Sequence, residues 1–296
     1  MHLVTFTQRT DNNDKMQRLG VLEGASLADL SRVEGAPASM AACCALGPDA
    51  LVRLTNWAAQ AERLPLADVT LLAPFPRPAR NVFCVGKNYH EHAREFATSG
   101  FDGSATEIVP EAPVVFTKAP SAVIGPGAAI PGHLDATNSV DYEGELTVVI
   151  GTGGRDIPTE RAMDHVFGYT IVNDVTSRHL QQKHRQWLLG KSIDGFCPMG
   201  PAVLTADEVP DVGRLRLRTW VNGELRQDAA VSDLIFDIPT LIATISSCIT
   251  LEPGDLIATG TPVGVGIGFK PPKFLVKGDV VRIEIDPIGV LENQVA

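Results

Sequence analysis

The sequence predicts an α+β fold that is mainly β. Three observations lead there. Short β-branched or apolar runs recur between Gly and Pro turns, with 27 Gly and 21 Pro in 296 residues. Few stretches carry a helical period, and there is little strand–helix–strand alternation. The order of elements also suggests two parts, a small N-terminal α/β domain over residues 1–74 and a large domain over 75–296. Between them, Pro74, Pro76 and Pro78 fall where neither ladder nor helix tolerates proline well.

In the small part, residues 1–7 alternate as a strand, 11–14 supply a turn, and 18–22 pair back as a hairpin. Residues 26–30 and the Ala-rich stretch 38–62 are expected to be helical, with Pro48 and Asp49 as a helix start. In the large part, 81–86 is a short buried strand that runs into Lys87-Asn88-Tyr89-His90-Glu91-His92-Ala93-Arg94-Glu95. Residues 96–112 are Gly/Ser-rich and aperiodic, as a mobile lid or a plain surface loop would be. Strands follow at 113–118, 140–150, 166–174, 199–204 and 215–221. Asn222-Gly223 then turns a hairpin into 224–227. Helical character is expected at 159–165, 176–189 and 235–248. A Gly-rich loop spans 259–268, and 280–285 is expected to be the last strand.

Composition excludes several classes of function. A net charge of −10, with no basic stripe, argues against nucleic-acid binding. No apolar run is long enough to span a bilayer, and the first residues lack a signal-peptide layout. Five cysteines at irregular spacing suit reduced thiols, so the expected compartment is the cytoplasm.

The chemistry-bearing residues fall at four places. Glu143 and Glu145 lie two apart on an apolar run, so one strand face carries both. Asp174 ends a second such run. Three hard oxygen ligands with no Cys or His cluster beside them suit Mg²⁺ or Mn²⁺, with Ca²⁺ also open, better than zinc. Solvent-facing strand-edge charges would give the same spacing. His92 and Glu95 stand one helical turn apart, as a general base and its orienting carboxylate would, and as an exposed charged turn would too. Lys191, among Leu188, Leu189 and Phe196, is either a surface charge or a cation for an acidic substrate. The loop 259–268 lacks a phosphate-loop ending; it suits a backbone cradle for a small carboxylate, or ordinary turns.

Taken in order, these motifs resemble the fumarylacetoacetate hydrolase superfamily, from about residue 80 to the C-terminus. The carriers are Gly86-Lys87-Asn88-Tyr89 with His92 and Glu95, and Asp141-Tyr142-Glu143-Gly144-Glu145-Leu146. Next come Asn173-Asp174-Val175-Thr176 with Arg178 and Gln181, Gly190-Lys191-Ser192, and Thr259-Gly260-Thr261-Pro262. The resemblance implies a mixed β-roll core and a homodimer. It implies Mg²⁺ or Mn²⁺ on Glu143, Glu145 and Asp174, and a water-activating dyad of His92 and Glu95 on a segment that orders with substrate. It further implies catalytic Lys191, and substrate contacts from Tyr89, Arg178, Gln181 and Thr261. His179 departs from the acid found at that position in many relatives.

The expected activity is hydrolysis of a C–C bond in a 2,4-dioxo acid, an acylpyruvate such as maleylpyruvate or fumarylpyruvate, releasing pyruvate and a carboxylic acid in aromatic-compound breakdown. The alternative is decarboxylation or isomerisation of oxaloacetate-like or hydroxymuconate-type acids on the same metal site. A non-catalytic metal-binding protein with a degenerate site is the reading from a different class.

Overall fold

Alternation in the central strands decides how the layers stack. In the strand Gly144–Ile150, Leu146, Val148 and Ile150 face one way and Val149 the other. In its antiparallel neighbour Val166–Asn173, Tyr169 and Ile171 face the first side and Val172 the second. The first side packs on a separate four-stranded sheet, through Leu217, Val221, Ile283 and Ile285. The second meets the helices Met40–Cys44 and Ala50–Gln60 through Met40, Cys43, Leu54 and Ala58. Sheet on sheet with helices on the outer face is the α+β, mostly β arrangement expected. Both central strands are buried throughout their middles, so truncating Ile171 to Ala should cost about 2–5 kcal/mol.

The structure, a computed structural model, describes residues 1–9, 16–101 and 108–296. The turn expected at 11–14 and the middle of the lid expected at 96–112 lie outside the described residues. Within them, the large sheet runs from Glu62–Pro65 through Ser26–Asp29, Arg18–Glu23 and His2–Gln8 to Cys197–Thr205. It continues through Val166–Asn173, Gly144–Ile150, Leu256–Ala258 and Val82–Gly86 to Val114–Lys118. The N-terminal strands join it where His2 and Leu3 pair antiparallel with Leu204 and Val203. The small sheet orders Glu224–Ala230, Arg216–Val221, Val280–Ile285 and Gly289–Gln294.

Four expectations need correcting. Of residues 26–30 only Leu30 is helical, opening the short 3₁₀ turn Leu30–Arg32: Ser26–Asp29 is a strand, hairpinned to Arg18–Glu23 through Gly24, whose φ of 61° only glycine adopts easily. Tertiary pairing overrides a helix-tolerant composition here, and buried Asp29 accepts from Arg18 at 3.2 Å. The strand expected at 140–150 is two strands. Val140–Asp141 pairs with Thr176–Ser177, the chain sidesteps at Tyr142 and Glu143, and Gly144–Ile150 enters the main sheet. The helix expected over 176–189 begins only at Arg178, ends at His184 and resumes over Leu188–Lys191, with Arg185 at φ 59° between. Finally, Val280–Ile285 is followed by a further strand, Gly289–Gln294, paired to it residue for residue.

No helix among the described residues is long and apolar enough to cross a membrane.

Candidate active site

Three carboxylates meet where the two central strands end. Asp174 N–H donates to the Glu143 carbonyl at 2.8 Å, which sets Asp174 beside Glu143 just beyond the pairing of Gly144 with Asn173. Glu145, two residues on from Glu143, reaches the same spot. Oxygens of the three carboxylates lie within 4.8 Å of one another, and all three residues are buried.

Two of the three are countered by buried cations. Lys191 Nζ donates to Glu143 Oε2 at 2.7 Å and to Asp174 Oδ2 at 2.6 Å. Arg178 Nη1 lies 2.6 Å from Glu143 Oε1, and Lys118 Nζ donates to Asp174 Oδ1 at 2.6 Å. Burial alone would raise the Glu143 carboxyl, but Lys191 and Arg178 outweigh it and hold the group well below the usual carboxylate range. Burial likewise works against the Lys191 ammonium, yet Asp174 and Glu143 raise it above the ordinary lysine value. Glu145 is the exception. It accepts from Gly260 N–H at 2.9 Å, and among the described residues no cation pairs with it. Burial, and then repulsion from Asp174 and Glu143, push its carboxyl well above the ordinary range. A trio of buried hard oxygen donors, one of which has no cation paired to it among the described residues, fits a divalent metal ion.

The second component is the helix His90–Thr98. His92 and Glu95 share a face, and His92 Nδ1 lies 3.1 Å from Glu95 Oε2. With Nδ1 engaged, Nε2 is the ring nitrogen left for other work. Glu95 Oε1 accepts from Gly264 N–H at 3.0 Å, and Phe96 packs on Val265 and Ile267, so the helix docks on the Gly-rich loop.

The Gly-rich loop, which suited either a ligand cradle or ordinary turns, spends four of its N–H groups inside the protein. Its N–H groups serve the protein's own acids: Gly260 to Glu145, Gly264 to Glu95, Gly266 and Ile267 to Asp141. Asp141 in turn accepts from Arg178 Nε at 2.9 Å.

The predicted residues come together unevenly. His92, Glu143, Glu145, Arg178, Gln181, Lys191 and Thr261 line one cleft, walled by Phe96, Phe116 and Trp187. Arg178 Nη2 is buried in the structure without a hydrogen-bond partner, an orphan donor suited to a ligand oxygen. Glu95 and Asp174 act from behind residues that line the cleft. Tyr89 does not reach it; it is buried at the start of the helix, where its backbone bridges to Leu234. His179 is exposed and packs on Phe101 and Phe274, away from the carboxylates. Sequence reasoning gave no role to Asp141 or Lys118. Asp141 stood inside the acidic motif, while the only signal for Lys118 was a lysine ending an apolar run. Its Nζ ties Asp174 to the Val175 carbonyl (3.0 Å) and to the Lys191 carbonyl.

The family model for the fumarylacetoacetate (FAA) hydrolase C-terminal region matches residues 81–296, which include every residue of this cleft. The chain belongs to the fumarylacetoacetate hydrolase family. Among its relatives in that family, oxaloacetate tautomerase YisK of Bacillus subtilis (strain 168) is 49% identical over 275 residues, 90% of this chain and 89% of that protein. The structure of a fumarylacetoacetate hydrolase from psychrophilic Exiguobacterium antarcticum is 43% identical, with a TM-score of 0.83, covering 100% of this chain and 99% of that one. Maleylpyruvate hydrolase from Sphingobium sp. SYK-6, solved with manganese(II) ion and pyruvate, is 33% identical, with a TM-score of 0.79 and coverage of 100% and 99%. The fumarylacetoacetate hydrolase fold thus extends over the whole chain, N-terminal strands included.

Proposed function

We propose that this chain moves a proton at the carbon beside the 2-oxo group of a short 2-oxo acid, interconverting keto and enol forms of an oxaloacetate-type substrate. The observation that carries the reading is one cleft lined both by the His92 ring, fixed by Glu95 at 3.1 Å, and by Glu143 and Glu145 with Arg178 and Lys191, Asp174 standing behind them. The extensive identity with a tautomerase supports the choice of reaction.

Glu143, Glu145 and Asp174 would hold Mg²⁺ or Mn²⁺, which when bound supplies Lewis-acid polarisation of the 2-oxo group. Arg178, with its orphan Nη2, and Gln181 bind and orient the substrate's oxygens. Lys191 adds fixed positive charge where the enolate develops. His92 Nε2 takes the proton from the carbon and delivers it to the enolate oxygen, the reverse transfer returning enol to keto, with Glu95 stabilising the imidazolium in between. Phe96, Phe116 and Trp187 exclude water from the walls, which strengthens each of these interactions.

A second reading, hydrolysis of an acylpyruvate to pyruvate and a carboxylic acid, is favoured by the same dyad. A His–Glu pair at bonding distance also serves to deprotonate an attacking water. One experiment separates the two readings. Mn²⁺-supplemented protein is given oxaloacetate and an acylpyruvate side by side, following enol absorbance and product masses. Accelerated enol–keto conversion without new products supports the tautomerase; pyruvate plus an acid from the acylpyruvate supports the hydrolase. Failure on both substrates defeats the reading.

A further inference from the structure

We infer that a second cavity, walled in part by the segment that seats the dyad helix, binds a small uncharged molecule with an apolar body and one hydrogen-bond acceptor, and that its occupancy bears on how that helix is held. The inference does not depend on the reaction proposed above.

This cavity has a volume of about 400 Å³ and shares no lining residue with the cleft. That is room enough for a small-molecule ligand. Its floor is made by Val209, Val231, Ile238 and Tyr169, all buried. Tyr169 is only 1% exposed, and its hydroxyl makes no hydrogen bond to any described residue. Most buried polar groups have a partner, and an acceptor on a ligand would supply the one missing here. Burial pushes the phenol up to about 12, so it stays a donor at neutral pH. Asp211 and Asp237 stand exposed at the rim, and among the described residues no Lys or Arg lines the cavity. An anion would meet two carboxylates and no counter-charge. A cation at the floor would find only the phenol oxygen, too little to offset its lost hydration.

The wall formed by residues 231–239 ties the cavity to the acid–base half of the site. Leu234, which lines the cavity, bridges through its backbone to Tyr89. Ile235 N–H donates to the Asn88 carbonyl at 2.9 Å, and Phe236 N–H donates to Asn88 Oδ1 at 2.8 Å. Asn88 Nδ2 in turn donates to the Phe236 carbonyl at 3.0 Å. The helix that carries His92 and Glu95 begins at His90, directly after these two anchored residues. A molecule packed on Val231, Leu234 and Ile238 therefore loads the strip that fixes where the helix starts.

The test uses acetophenone, a neutral aromatic ketone, and benzoate, which carries an anionic oxygen where the ketone has its methyl group. Both are titrated into the Mg²⁺-loaded protein and followed by saturation-transfer NMR. Acetophenone should bind about tenfold more tightly than benzoate, or better. Tyr169→Phe removes a hydroxyl that has no partner in the protein, so the melting temperature should hold while acetophenone weakens about threefold or more. Val212→Trp, which places a large ring in the mouth, should abolish binding and leave the solution mass unchanged. Saturating wild type with acetophenone should slow amide exchange over residues 88–98 about twofold or more, with no response in Val212→Trp. No binding of acetophenone, equal binding of benzoate, or binding that both variants leave intact overturns the inference. So does exchange that acetophenone fails to alter. A changed solution mass in Val212→Trp would assign the cavity to a second copy of the chain and overturn it as well.

Discussion

The two halves of the site are built to different standards. The carboxylate cluster grows out of two central, largely buried strands, and Lys118, Lys191 and Arg178 fix two of its three acids. The dyad sits on a nine-residue helix, attached by Glu95 to one loop N–H and by Phe96 to Val265, Ile267 and Trp187. Groups that must hold a fixed charge pattern occupy a continuous ladder. Groups that must meet a substrate ride on an element that a few contacts seat or unseat.

Removing Glu143 should sharpen that contrast most. Glu143→Ala takes away a metal ligand and leaves Lys191 and Arg178 short of a buried counter-charge. Mn²⁺ binding should be lost in calorimetry, and stability should fall by about 3–5 kcal/mol in denaturant titration. Unchanged Mn²⁺ affinity would remove Glu143 from the ligand set. His92→Ala should do the reverse, lowering turnover about 10²–10⁴-fold while Mn²⁺ affinity and the melting temperature stay put. If metal affinity dropped along with turnover, the two halves would not be separable.

Gly268→Ala is a finer probe. A Cβ there would lie 1.9 Å from Glu95 Oε1, so the carboxylate must swing away and release His92. Steady-state kinetics should show up to about 10²-fold loss in kcat with unaltered Mn²⁺ binding. Normal kcat would mean that Glu95 is not needed to orient His92.

The smallest effect expected is a proton count. With its carboxyl raised, Glu145 in the metal-free folded protein keeps a proton that the unfolded chain gives up near the ordinary carboxylate value. The metal-free protein should therefore lose stability as pH rises from that value through the raised one. Metal binding should expel the proton, so Mn²⁺ affinity should climb with pH. Calorimetry in buffers of different ionisation heat reads the release directly; a count of zero would show that Glu145 is already ionised.

What the sequence disclosed follows the range of the interactions involved. Residues 144–150 and 166–173 were legible because a continuous apolar, β-branched run is local to each strand. Ser26–Asp29 was misread because nothing in Ser-Leu-Ala-Asp is β-branched; its pairing with Arg18–Glu23 makes it a strand. The site residues were placed by an ordered set of motifs rather than by any one spacing. Glu-x-Glu by itself also fits a solvated edge. Lys118 escaped notice because its partner Asp174 is 56 residues away, and no local pattern encodes that contact. The Gly-rich loop stayed open between a ligand cradle and ordinary turns because N–H groups look alike until their acceptors are known.

That loop joins what the comparison separated. Between Gly264 and Ile267 it hands one N–H to Glu95, which aims His92, and two to Asp141, which holds Arg178, which in turn grips Glu143. Acid–base group and ligand cluster are thus gauged from a single four-residue peptide, like two jigs bolted to one plate. An insertion or deletion there would spoil both settings together, whereas a change confined to either side alters only one.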